Sequence, residues 1–361
     1  MNNSIWRFIE QTHKWIAIAL TLPVIFVFLT GIILQIRKPV DYIQPNLHYG
    51  VARYQPTTSL NSILESIKAE PKMKVKGWQD VMIMDLRPKA GVIKIRTADE
   101  MEAQVDVKTA KVLNVQQRWN DIITLLHDGS TWGMRTSVFL IAGLLTVLLG
   151  FTGAFLIYQT ARNKISASLR RSRNTGNMSA ANTTELRAKP SGRWKLMRFC
   201  RKYHFYLSIF IIFPWLVASV SGVLLQVRYE VPWVMPERQQ GVSKIPTLEF
   251  TEILETAKKL KGLKLNSWDE VWRIYIYPND GIVSVRTKDL WEAQFDSNTG
   301  ELLDLSVRRT DLLEDIHEGK WLKANWWFFL PAHTVAIIAW FFGVYLWIES
   351  FWPRRRTANK A

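Results

Sequence analysis

Six histidines are the residues here whose type and placement could do chemistry: His13, His48, His127, His204, His317 and His333. All but His48 lie within or beside long apolar runs. A neutral imidazole has one N–H donor and one bare ring nitrogen to satisfy, and hydrocarbon offers a partner to neither. Two arrangements meet that demand. One is a structural hydrogen bond, the default for a lone histidine at a membrane boundary. The other is metal ligation, in which the bare nitrogen binds the metal and the second nitrogen is held by a carbonyl or side chain. His48, in the polar stretch NLHYG, reads as a surface-loop residue. The single cysteine, Cys200, excludes an intramolecular disulfide and a Cys-based zinc or iron–sulfur centre.

The elements that must position these histidines are apolar spans. Four runs, Trp15–Ile36, Val138–Tyr158, Phe205–Val227 and Trp326–Ile348, each exceed the roughly 20 residues that cross a bilayer as a helix. None carries Asp, Glu, Lys or Arg in its interior, as the cost of burying charge in lipid requires. The 17 Trp fit the same reading, because indole favours the boundary between headgroups and hydrocarbon. The net charge of +16 is concentrated just outside the spans, at Arg162–Arg173, Arg193–Lys202 and Arg354–Arg356. That pattern marks cytoplasmic flanks, with contacts to anionic lipid, and no nucleic-acid recognition fold surrounds it. Both termini are therefore expected in the cytoplasm, and the two long polar segments on the opposite side.

The spans are related by duplication. RFIEQTHKWIAIALTLPVIFVFLTGIILQIR aligns with RFCRKYHFYLSIFIIFPWLVASVSGVLLQVR at a constant offset of 191 (204 − 13). His13 meets His204, Pro23 meets Pro214, Gly31 meets Gly222, Gln35 meets Gln226 and Arg37 meets Arg228. The polar segments follow at an offset of 190 (268 − 78): Trp78 meets Trp268, Glu102-Ala103-Gln104 meets Glu292-Ala293-Gln294, and His127 meets His317 within LHDG and IHEG. Gly153 then meets Gly343. Each copy reads as helix, extramembrane domain, helix. The domain opens with an amphipathic helix near Leu60–Lys68 or Phe250–Lys259. Alternating strands follow, with a hairpin turn at Asn298-Thr299-Gly300.

With its sheet ending in FDSNTGELL, the polar segment resembles the PepSY domain. The flanking spans, with a histidine near the cytoplasmic start and an LHxG-like step before the next span, are similar to the PepSY-associated transmembrane family. The resemblance covers nearly the whole chain. It implies an integral membrane protein, an α-helical four-TM bundle with two periplasmic α+β PepSY-like domains. The expected segments are 1–37, the first TM helix; 38–133, the first periplasmic domain; 134–160, the second TM helix; and 161–196, a basic cytoplasmic linker. They continue with 197–228, the third TM helix; 229–322, the second periplasmic domain; and 323–361, the fourth TM helix with a basic tail. The family includes bacterial inner-membrane proteins of iron uptake, among them di-haem ferric-siderophore reductases. The resemblance therefore implies haem b, two per chain, and a ferric-siderophore substrate.

Depth arranges the histidines. His13 and His204 lie at the cytoplasmic ends of spans one and three, and His127 and His317 lie on the other side, before spans two and four. Two pairs at two depths read as two haem sites. His333 breaks the symmetry, since its counterpart is Gly143. It lies 16 residues beyond His317 (333 − 317), about 24 Å along a continuous helix. It either replaces one of the four or ligates opposite the space that Gly143 leaves. The glycines allow close approach of a porphyrin or simply of another helix. No P-loop or dinucleotide fingerprint occurs, so the electron donor is expected to be quinol or a separate reductase. Two other functions compete. One is a non-enzymatic membrane protein whose domains bind a periplasmic partner. The other is an iron or siderophore transporter, which equal orientation of the halves and the lack of charged residues within the spans disfavour.

Overall fold

The computed structural model describes residues 3–174 and 192–351. It divides into a helical unit, formed by 1–32, 132–226 and 315–361, and a sheet unit, formed by 33–131 and 227–314. The basic stretch at 354–356 and part of the expected cytoplasmic linker lie outside the described residues.

In the helical unit, α1 (Asn3–Ala19), α5 (Leu140–Asn174), α6 (Gly192–Gln226) and α9 (Leu330–Ser350) pack so that α1 and α6 each touch both α5 and α9. Three stretches, Arg135–Ser172, Gly192–Gln226 and Asn325–Ser350, are long and apolar enough to cross a membrane. A fourth exists if α1 and α2 (Thr21–Gln35) count as one span, for these two helices are bent by 64°. Proline inside a span is expected to kink its helix, at Pro23 and at Pro214 alike; the first span is indeed broken, and two residues explain it. Pro23 has no N–H for the carbonyl four residues back. The Thr21 hydroxyl takes the Ala17 carbonyl at 3.0 Å, a back-bond that bends helices. In the second copy Pro214 stands alone, with Ile212 in place of the threonine, and α6 runs on unbroken. A second difference is at α5, which continues as helix through the basic residues to Asn174, where a linker had been expected from 161.

The core of this unit contains Leu20, Val24, Leu149, Ile211, Trp215, Ala332, Ala336, Ala339 and Trp340. Small residues on one face of α9 let its neighbours approach closely.

In the sheet unit, each copy contributes a helix and four antiparallel strands. These are α3 (Leu60–Lys68) with β1 (Val81–Arg87), β2 (Val92–Thr97), β3 (Met101–Asp106) and β4 (Val112–Gln117), and α7 (Phe250–Lys258) with β5 (Val271–Tyr277), β6 (Ile282–Thr287), β7 (Trp291–Asp296) and β8 (Leu302–Val307). The two sheets are joined. β1 pairs antiparallel with β5, giving one eight-stranded sheet of order β4-β3-β2-β1-β5-β6-β7-β8. Its apolar face, with Met84, Leu86, Ile93, Ile95, Ile274 and Ile276, packs in one continuous core with Ile63, Ile67, Phe250 and Ile253 from the helices. Each last hairpin is pinned by an aspartate. The Asp106 carboxylate accepts from the backbone N–H groups of Val51, Lys108 and Thr109. Asp296 does the same with Val242, Asn298 and Thr299.

Each copy closes its sheet with a short helix, α4 (Trp119–His127) or α8 (Thr310–His317), whose last residue is the histidine of the LHDG or IHEG motif. Gly129 and Gly319 follow at φ 78° and 73°, the left-handed geometry that ends a helix and that glycine adopts without strain.

Candidate functional site

His13 projects from α1, and its Nδ1 lies 3.0 Å from the Thr152 hydroxyl of α5, which itself donates to the Leu149 carbonyl at 3.0 Å. His204 projects from α6, and its Nδ1 lies 2.8 Å from the Ala339 carbonyl of α9. His317 reaches α6, with Nδ1 at 2.9 Å from the Ala218 carbonyl and 3.2 Å from the Ser221 hydroxyl. A carbonyl only accepts, so His204 and His317 must carry their proton on Nδ1. Their Nε2 atoms then present a lone pair, the tautomer that a metal-ligating histidine needs.

The glycines of the repeat now have a definite job. A Cβ placed on Gly153 would sit 3.3 Å from the His13 Cε1 atom, one on Gly343 3.2 Å from that of His204, and one on Gly222 3.1 Å from that of His317. Ala339 and Ala218 lie four residues before Gly343 and Gly222. Each ring is thus anchored by the carbonyl one turn ahead of the glycine over which it lies. His13, His204, His317 and His333 are all half-buried residues.

The histidines form pairs. His13 and His204 are close enough for their charges to interact, and so are His317 and His333. The second pairing follows from a broken helix. Between His317 and His333 the chain makes a 3-10 turn at Lys320–Leu322 and a π-helical turn at Asn325–Phe329 before α9 begins. The distance of about 24 Å along a straight helix therefore does not apply. His127 ends α4 and belongs to the sheet unit. His48 is exposed on a loop held by its own backbone N–H, which donates to Gln104 Oε1 at 2.9 Å. Among the described residues no group of three or more His, Cys, Asp or Glu is placed to hold a bare metal ion.

An aromatic column links the two pairs. His333 packs on Phe28 with ring centres 5.7 Å apart, Phe28 on Trp215 at 5.1 Å, and Trp215 stacks on Trp340 at 5.9 Å and 15°. Trp340 follows directly after Ala339, whose carbonyl holds His204. Both indole N–H groups are satisfied, Trp215 by the Thr146 carbonyl and Trp340 by the Thr21 hydroxyl, each at 3.2 Å. From sequence, tryptophan reads as an interface residue, and these two are not in the belt. Their signal was their place: mid-span, where indole is disfavoured unless its N–H finds a partner.

A family profile described as "PepSY-associated TM region" matches residues 11–183 and again residues 201–361. The chain belongs to the PepSY-associated TM region family. Each match begins just before the first histidine of its copy, His13 or His204, so the family boundary coincides with the duplication. No curated protein matches the sequence. Within this PepSY-associated TM region protein the duplication is uneven where it bears on chemistry. His333 stands where the first copy has Gly143, and Thr152, which holds His13, is replaced in the second copy by Phe342.

Proposed function

We propose that this PepSY-associated TM region protein is a haem-containing oxidoreductase of the bacterial inner membrane. It carries electrons to a periplasmic acceptor and acts as a ferric-siderophore reductase in iron uptake, releasing Fe(II). The observation that supports this reading most is the fixed Nδ1 of His204 and His317. Each Nδ1 is held by a backbone carbonyl, of Ala339 or Ala218, which places the proton on that nitrogen and leaves Nε2 as the atom that would ligate iron.

The residues fit haem b at two places. His13 and His204, on diagonal helices α1 and α6, would hold one group. His317 would hold the second, with His333 of the same unit as its partner. A haem with two imidazole ligands supplies a one-electron couple. The chain's own part is to orient the imidazoles through Thr152, Ala339, Ala218 and Ser221, to admit them closely at Gly153, Gly343 and Gly222, and to fill the space between the pairs with Phe28, Trp215 and Trp340. Donation of the Nδ1 proton to a carbonyl makes the imidazole a stronger ligand.

The positive flanks support a topology with cytoplasmic termini, four spans and a periplasmic sheet unit. Quinol or a separate reductase would supply the electrons. Addition of one electron to a hard-oxygen ferric chelate gives Fe(II), which those donors hold far more weakly, so the metal is released.

The test is the absorption spectrum of the purified protein in detergent. The wild type is expected to show a Soret band and two haems per chain. His13→Ala and His204→Ala should each remove about half of that haem, as expected for two equal bis-imidazole sites. A colourless wild type would sink the reading and favour a non-enzymatic protein that binds a periplasmic partner.

A further inference from the structure

The face of the sheet opposite the apolar core is polar. Across its centre, Lys94 of β2 pairs with Asp85 of β1, Asp85 with Tyr275 of β5, and Tyr275 with Ser284 of β6. Just past the last β1–β5 pair, Leu86 with Ile274, come Arg87 and Arg273, and Arg273 pairs with Arg286. Three guanidiniums thus sit side by side on three adjacent strands. Like charges directly opposite each other across a sheet are destabilising unless something neutralises them.

The carboxylates present do so incompletely. Asp85 Oδ2 accepts from Arg87 Nε and Nη2 at 3.0 and 2.8 Å and lies 3.9 Å from Arg273. Glu292 is shared between Arg286 at 3.4 Å and Arg308 at 3.3 Å. Arg286 Nε, on a residue 5% exposed, makes no hydrogen bond and meets Glu292 only as an ion pair at 3.4 Å, so its donor capacity is not used up. Tyr275 completes the cluster. Its hydroxyl accepts from Arg273 Nη1 at 2.8 Å, and the Arg286 guanidinium lies 4.1 Å from its ring centre. Arg87 and Arg273 stay reachable, with side chains 22% and 28% exposed.

The duplication argues against a purely structural role. Arg273 occupies the position held in the first copy by Ile83, and Tyr275 that of Asp85. The same strand folds with isoleucine there, so the sheet does not require the arginine.

The geometry points to an anion-binding site on the polar face of the sheet, formed by Arg87, Arg273, Arg286 and Tyr275, that takes a multivalent oxyanion such as a polycarboxylate. Guanidinium forks match carboxylate oxygens two by two, and a row of them matches several carboxylates on one ligand. If the protein reduces a ferric chelate, a clause that rests on the reading above, the site selects chelates of net negative charge.

The probes are citrate and iron(III)–citrate, titrated calorimetrically into the full chain in detergent, with inorganic phosphate as a smaller oxyanion. Saturable citrate binding is expected, weakening with added salt. Arg273→Ile, which installs the first copy's residue, should weaken it at least about ten-fold, in line with loss of a bidentate charged contact, while the variant still unfolds in one cooperative transition. Tyr275→Phe should weaken it less. Equal binding by wild type and Arg273→Ile, or no saturable binding of any probe, would overturn the site. Haem content is read from the same samples: a lost anion site with intact haem rejects this inference alone, and anion binding by colourless protein rejects only the reductase.

Discussion

Single contacts set the histidine geometry, and Gly343 tests this most sharply. Its missing Cβ leaves 3.2 Å to the His204 ring, tighter than an ordinary carbon contact. Gly343→Val adds two methyl groups beyond that Cβ and must push the imidazole off the Ala339 carbonyl. The expected result is loss of the same haem that His204→Ala removes, measured as haem per chain, with the other haem retained. Unchanged haem content would mean that the ring is not held where the glycine places it. Much of this was open to a reader of the sequence. His13 and His204 matched in the repeat, and so did Gly153 and Gly343. That the glycines face the histidines was not readable, because helix contact across 140 residues leaves no local mark. The roles of Thr152 and Ser221 were equally hidden, since a hydroxyl in an apolar span reads first as a back-bond to its own helix.

At the scale of elements, the aromatic column makes the helices interdependent. Trp215 is clamped between Phe28 of α2 and Trp340 of α9, and its N–H is bonded to α5. Trp215→Ala should lower stability by about 3–5 kcal/mol, as buried Trp truncations do. Trp215→Phe should recover most of the loss by keeping the ring contacts. Thermal unfolding in detergent, followed by tyrosine and tryptophan fluorescence, decides this, and equal melting of the Ala and Phe variants would contradict it. Elements also show where pattern reading stops. Hydropathy located the long apolar helices, and strand alternation located the strands of the first copy and the last hairpin of the second. Pro23 marked the bend in the first span, but Pro214 marked none in α6, and nothing in the pattern revealed the turns that lie between His317 and His333. Strand alternation also does not tell that Lys94, Glu102, Gln104 and Glu292 are buried. Lys94 Nζ is bonded to Glu102 at 2.7 Å, a pairing that permits that burial.

In the sheet unit, buried carboxylates tie stability to pH. At Asp85 and Glu102 burial would raise the carboxyl, but neighbouring Arg87 and Arg273, or Arg118 and Lys94, hold it below its usual range. At Asp106 and Asp296 backbone N–H groups do the same. The folded chain therefore binds fewer protons than the unfolded one. The stability these groups add is complete above about pH 4–4.5 and is lost as pH falls through their depressed values. Glu100 acts in the opposite sense. Burial first, and then the Asp121 carboxylate, push it up to about 7. Its folded form holds a proton that the unfolded form has released, so it removes stability as pH rises from about 4.5 to 7. Glu100→Gln should raise the melting temperature at pH 8 and leave it nearly unchanged at pH 4. An equal shift at both values would show that titration is not the cause.

The join between β1 and β5 has a consequence of its own. Its register sets Asp85 against Tyr275, and these two are each other's counterparts in the repeat. The local twofold axis therefore passes between a residue and its own duplicate. In a dimer of identical single-copy chains that residue would have to face itself, aspartate against aspartate or tyrosine against tyrosine. One chain carrying both copies is free of that identity. It can set an acid against a phenol at its own centre and place Arg273 where the other copy has Ile83, so that the two halves of the polar face differ.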